Sequence, residues 1–72
     1  MALDELQRIL NHLEPLVTDR LYDCKERGQT VEELHEFLNV PRAYVLGVLQ
    51  ILRREGLVRE SGGAWKVVGP KP

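Results

Sequence analysis

Apolar side chains recur at alternating spacings of three and four over the first part of the chain, which is the period of one face of an α-helix. The stripe consists of Leu3, Leu6, Leu10, Leu13, Val17, Leu21 and Cys24. We therefore predict a helix from Leu3 to about Arg27, with Gly28 ending it. Pro15 lies inside this pattern and lacks an amide hydrogen, so we expect either a kink or two helices that meet near Glu14.

Two shorter amphipathic segments follow. Thr30 and Glu33 have the spacing of a capping box, which predicts a second helix over residues 31–38. Its core face is expected to carry Val31, Leu34, Phe37 and Leu38. After a short linker, Pro41 suits the first turn of a third helix, which we predict from Pro41 to about Glu55. The core-facing residues of the third helix are predicted to be Val45, Val48, Leu49 and Leu52.

The end of the chain has the pattern of a β-hairpin. Short strands are predicted over residues 57–60 and 64–68, because the Gly-Gly pair at 62–63 supplies the positive backbone angles of a two-residue turn. This turn places Arg59 opposite Lys66 on one face of the hairpin. The other face is expected to pack into the core through Val58, Trp65 and Val67.

Length and charge narrow the classes of function. A chain of 72 residues forms one compact domain that buries about 60% of the surface its unfolded state exposes, so a large catalytic cleft is not expected. The net charge is −1, but residues 1–41 carry −5 and residues 42–72 carry +4. We therefore expect an anionic ligand to meet the C-terminal part.

Candidate chemistry is sparse. Cys24 is the only cysteine, which leaves no internal disulfide or thiolate cluster for zinc, and we expect a buried, inert thiol. His12 and His35 lack a second ligand at metal spacing, so no metal or other cofactor is expected. Nothing orients His12 and Cys24 as a base and a nucleophile, and we predict that the protein is not an enzyme. No apolar run approaches the roughly 18 residues of a membrane span, so we expect cytoplasmic localisation, or nuclear or nucleoid localisation if DNA is bound.

A capped helix, a three-residue turn, a further helix and a Gly-Gly hairpin with an aromatic follow one another over residues 14–68. The most specific part is a run of apolar and glycine positions formed by Leu49, Leu52, Gly56, Leu57, Val58 and Trp65. In this combination the chain resembles the winged helix-turn-helix superfamily. The resemblance implies a mostly α-helical fold of three helices and a two-stranded wing. Residues 1–13 would then form an N-terminal helical extension, and residues 69–72 a flexible tail.

The resemblance implies binding of double-stranded DNA, as in a small transcriptional regulator. The helix 41–55 would enter the major groove, and the hairpin 57–68 would contact phosphates. The candidate nucleic-acid-binding residues are Arg42, Ala43, Tyr44, Leu46, Gly47, Gln50, Arg53, Arg59 and Lys66. The opposition of Arg59 and Lys66 supports a phosphate contact independently, because a phosphate between two like charges relieves their repulsion. Solvation of the two side chains by water accounts for the same pair equally well.

Two alternatives stay open at the level of sequence. The third helix could instead present an apolar patch to a protein partner, formed by Tyr44, Leu46, Val48 and Ile51. The stripe on the first helix suits either core packing or a homodimer, whose seam would consist of Leu3, Leu6, Leu10 and Leu13.

Overall fold

A computed structural model describes residues 3–69 and, from residue 4 onward, their side chains. The chain forms three helices followed by an antiparallel hairpin, which confirms the predicted mostly α-helical class. Residues 1, 2 and 70–72, which belong to the predicted extension and tail, lie outside the described residues. The elements are α1 (Leu3–Asp23), α2 (Val31–Leu38), α3 (Arg42–Arg54), β1 (Val58–Ser61) and β2 (Ala64–Val67).

Helix α1 runs without interruption through Pro15, so the alternative of two helices meeting near Glu14 is wrong, and the alternative of a kink stays a prediction. A proline inside a helix removes one backbone hydrogen bond. Burial of the side chains on both sides of Pro15 offsets this loss, since Leu13, Val17 and Leu21 all lie in the core. The helix ends at Asp23 rather than near Arg27, and the residues between them form turns.

Helix α2 begins with the predicted capping box. The Thr30 hydroxyl oxygen accepts a hydrogen bond from the Glu33 amide at 3.1 Å, and a Glu33 carboxylate oxygen accepts one from the Thr30 amide at 3.0 Å. Leu34 is fully buried, but the Phe37 side chain is 58% exposed, so its predicted place on the core face is wrong. Its ring instead lies beneath the guanidinium of Arg20 on α1, with the Arg20 Cζ atom 3.8 Å from the ring centroid.

All five elements contribute to one core. Helices α1 and α3 lie against each other, and α2 and the hairpin close the remaining sides. The predicted core face of α3 is confirmed in full, because its four residues are buried. The core consists of Leu13, Val17, Leu21, Leu34, Val45, Val48, Leu49, Leu52, Val58, Trp65 and Val67.

The hairpin has the predicted register, with Arg59 opposite Lys66, although its strands are 58–61 and 64–67 rather than 57–60 and 64–68. The φ angles of Gly62 and Gly63 are 60° and 86°, as a tight turn of this kind requires.

A third segment pairs with the hairpin at its far edge. The Gln29 amide donates to the Trp65 carbonyl at 3.0 Å, and the Trp65 amide donates to the Gln29 carbonyl at 2.7 Å. This isolated antiparallel bridge attaches β2 to the connection between α1 and α2. Trp65 is therefore held by its backbone as well as by its buried ring.

Candidate nucleic-acid interface

Helix α3 presents one solvent-facing side, opposite its four core residues. The side chains of Ala43, Leu46, Gln50 and Arg53 are exposed and follow one another at spacings of three and four. This side therefore combines two apolar positions with one amide and one guanidinium. It contains four of the seven α3 residues that the sequence places at a nucleic-acid interface.

Arg42, at the start of α3, is exposed but already has a partner. Its guanidinium pairs with the Glu32 carboxylate of α2 through two contacts, Nη2 to Oε2 at 2.7 Å and Nε to Oε1 at 2.5 Å. Such a two-point pair uses the same planar donors that would recognise a phosphate or a guanine edge. An anionic ligand at Arg42 would have to displace Glu32 or tolerate its negative charge.

Gly47 and Tyr44 lie toward α1 rather than on the solvent-facing side. A Cβ atom at Gly47 would lie 3.3 Å from the Cδ2 atom of Leu10, so α1 lies close to this position. Tyr44 is half-buried and packs against the core. Gly47 is also half-buried, so less of its backbone is open to a base edge than on the solvent-facing side, and its predicted contact with bases stays a prediction.

The outer face of the hairpin carries the cross-strand pair of Arg59 and Lys66. Arg59 is exposed, and the aliphatic stem of Lys66 rests on Gly28, since a Cβ atom there would lie 2.8 Å from Lys66 Cγ. Within residues 3–69, neither cation forms an ion pair. Two positive charges thus lie opposite each other, and no acid among residues 3–69 forms an ion pair with either.

Acidic groups shape the electrostatics elsewhere on the surface. Burial raises the pKa of the Glu14 carboxyl, and Glu55 at the end of α3 raises it further by repulsion and by a hydrogen bond between the two side chains. At the start of α2, the hydrogen bond from the Thr30 amide and the charge of Arg27 lower the pKa of Glu33. The Glu14 and Glu55 pair makes the C-terminal end of α3 less suited to an anion than the hairpin.

The predicted protein-binding patch on α3 does not form as a continuous surface. Val48 is fully buried against the other helices, which contradicts its place in an exposed patch. Ile51 and Tyr44 are only partly exposed, and Leu46 is 43% exposed. A helix of this period turns Val48 inward because it lies on the same face as Val45 and Leu52.

The leucines of the predicted dimer seam likewise do not form one exposed surface. Leu13 is part of the core and Leu10 packs against it, so both leucines serve mainly in packing within their own chain. Leu6 is partly exposed, and the Leu3 side chain lies outside the described residues.

The remaining candidate groups have local explanations. Cys24 is half-buried rather than buried. The Nδ1 atom of His35 lies 2.8 Å from the Val40 carbonyl oxygen, which fixes the imidazole to the turn between α2 and α3. Within the described part of the chain, no three histidine, cysteine or acidic residues form a group that could hold a metal ion. In the same part, no helix combines the length and the apolar character of a bilayer span.

No family model matches the chain, and the comparisons with curated proteins and with solved structures found no similar protein. The resemblance to the winged helix-turn-helix superfamily thus rests on the sequence pattern and on a compatible order of helices and hairpin.

Proposed function

We propose that this protein is a non-enzymatic winged helix-turn-helix module that binds double-stranded DNA, with the hairpin as its main phosphate contact. The observation that carries the proposal is the pair of Arg59 and Lys66, two neighbouring cations without an ion pair among the described residues. Like charges directly across two strands destabilise a hairpin, and a phosphate oxygen between them converts repulsion into two charge-assisted hydrogen bonds.

The solvent-facing side of α3 completes the proposed interface. Arg53 supplies a further phosphate contact, and the Gln50 amide suits an adenine edge. Leu46 and Ala43 offer only methyl groups, which can contact a thymine methyl. Few polar side chains on this side can contact base edges, and Arg42 is already paired with Glu32. The interface therefore favours contacts with the DNA backbone over recognition of a base sequence.

Fluorescence anisotropy with labelled duplex DNA of mixed sequence tests this proposal over a salt series. Each phosphate contact contributes a slope of about −0.9 to the dependence of log K on log salt concentration. The Arg59→Ala, Lys66→Ala variant should therefore bind more weakly at low salt, and its salt slope should be smaller by about two.

The matched control is the Arg8→Ala variant, which loses one positive charge from an exposed position in the first half of α1 and is compared with Arg59→Ala, which loses one from the hairpin. It should bind DNA nearly as tightly as the parent protein. Equal weakening in both variants would show a diffuse charge effect rather than a hairpin contact, and no binding by the folded parent at low salt would refute the proposal.

A protein partner is the second candidate, and one observation favours it. Leu46 is a large apolar side chain, 43% exposed in the middle of the solvent-facing side of α3. Apolar side chains at the centre of a polar rim are typical of protein interfaces. A folded parent protein that fails to bind DNA at low salt would favour this second function.

A further inference from the structure

An apolar groove of about 330 Å³ lies between the N-terminal half of α1 and the connection from α2 to α3. Its walls are formed by Ile9 and Leu13 on one side and by Val40 and Tyr44 on the other. The volume is at the lower end of the range for binding sites, and the apolar walls favour an apolar side chain as the occupant.

One edge of the groove carries two basic side chains. Arg8 and His12, one helical turn apart on α1, both line it and both are exposed. Neither forms an ion pair within the described residues. A complementary occupant therefore carries carboxylates next to its apolar side chain.

The chain itself presents such a segment one turn earlier on the same helix. Asp4 and Glu5 are exposed in the first turn of α1, and Leu6 beside them is partly exposed. No ion pair joins these acids to Arg8 or His12 within one described chain. On α1, an acidic turn is thus followed directly by a turn with two basic residues.

We propose that the groove binds the acidic first turn of α1 from a second copy of this chain, in an antiparallel homodimer. A two-fold axis places the acidic turn of each copy against the basic edge of the other, which includes the positive charge of Arg8, so that both grooves are filled by the same contact. The seam then runs through Leu6 and the groove, while Leu10 and Leu13 remain in the core of their own chain. This association does not depend on DNA binding.

Sedimentation equilibrium over a concentration series tests the dimer. The parent chain should approach twice its mass of 8.3 kDa at high concentration. An acid-reversed variant (Asp4→Lys, Glu5→Lys) and a base-reversed variant (Arg8→Glu, His12→Glu) should each have a dimer dissociation constant higher by about tenfold or more, because the attraction between Arg8 and the acidic turn becomes repulsion. An equimolar mixture of the two should recover the dimer, since every pair is again of opposite sign.

The control variant, Asp19→Lys, Asp23→Lys, reverses two exposed acids at the other end of α1 and should associate like the parent. A parent chain that stays at its monomer mass overturns the proposal. So do reversed variants that associate normally, or a mixture that stays monomeric. If circular dichroism shows that a reversed variant has lost helix, the neutral variants Asp4→Asn, Glu5→Gln and Arg8→Gln, His12→Gln take its place. Unchanged association of those neutral variants also overturns the proposed contact between the acidic turn and the groove.

Discussion

The Leu10 side chain of α1 lies against the bare backbone of Gly47 on α3, where a Cβ atom would stand 3.3 Å from Leu10 Cδ2 and 3.6 Å from Cδ1. The two helices can approach this closely because position 47 has no side chain. The contact joins the N-terminal half of α1 to the centre of the domain. This half is therefore part of the packed structure and not a separate arm.

Substitutions at Gly47 should have effects that depend on size. Gly47→Ala should change stability little, because a gain of about 1 kcal/mol in helix propensity is offset by the tight contact with the flexible end of Leu10. Gly47→Leu should destabilise by about 1–3 kcal/mol through overpacking. Urea denaturation measures both. Combining Gly47→Leu with Leu10→Ala should cost less than the sum of the single changes, and strictly additive costs would contradict the contact.

The capping box of α2 should contribute measurably to folding. Thr30→Ala removes the acceptor of the Glu33 amide and should lower the free energy of unfolding by about 1 kcal/mol. Thr18→Ala is the matched control, because that hydroxyl only donates to the Glu14 carbonyl inside α1 at 2.8 Å. It should have little effect or should stabilise, since alanine has the higher helix propensity. Equal losses from both changes would argue against the cap.

Glu14 should make stability depend on pH. Its pKa is raised in the folded protein by burial and by Glu55, so its contribution is fully present below the pKa of the unfolded chain and is lost as pH rises through the folded pKa. Glu14→Gln should therefore raise the melting temperature at neutral pH, and the difference should vanish in acid. The control is Asp19→Asn, which changes an exposed acid on the same helix. A Glu14→Gln protein less stable than its parent at neutral pH would contradict the raised pKa.

Leu34 and Phe37 should differ sharply in their importance for folding. Leu34→Ala removes a fully buried side chain and should cost about 2–5 kcal/mol. Phe37→Ala removes a larger but mostly exposed ring, whose main described contact is with Arg20, and should cost no more than about 1 kcal/mol. Thermal or chemical unfolding of the two variants measures the difference. Similar losses would place Phe37 in the core after all.

Most of the fold could be predicted from the sequence because its signals are local. The Thr30 and Glu33 box, the Gly-Gly turn and the apolar period of α3 each act within a few residues, and all three are confirmed. The continuity of α1 at Pro15 and the exposure of Phe37 do not follow from the local sequence, because tertiary packing decides both. Burial around Pro15 keeps α1 continuous, and an eight-residue helix has too narrow a contact to bury every apolar side chain.

The candidate site could be predicted only in part. The opposition of Arg59 and Lys66 follows directly from the turn. Arg42 pairs with Glu32 on α2, and Gly47 contacts Leu10 on α1. Both contacts join different helices, so no local pattern in the sequence predicts them. The pairing of Gln29 with Trp65 could not be predicted from the sequence either, because a one-residue bridge is too short to show the alternation of apolar and polar residues that identifies a strand.

The same bridge has a consequence for the order of folding. The chain between Gln29 and Trp65 contains all of α2, α3 and β1, so joining these two residues closes a loop around the middle of the molecule. Closing this loop costs conformational entropy. Burial of the Trp65 ring and of the surrounding core offsets that cost. We therefore expect the last strand, the α1–α2 connection and the helices enclosed between them to gain their protection from solvent in a single cooperative step, which hydrogen exchange would measure.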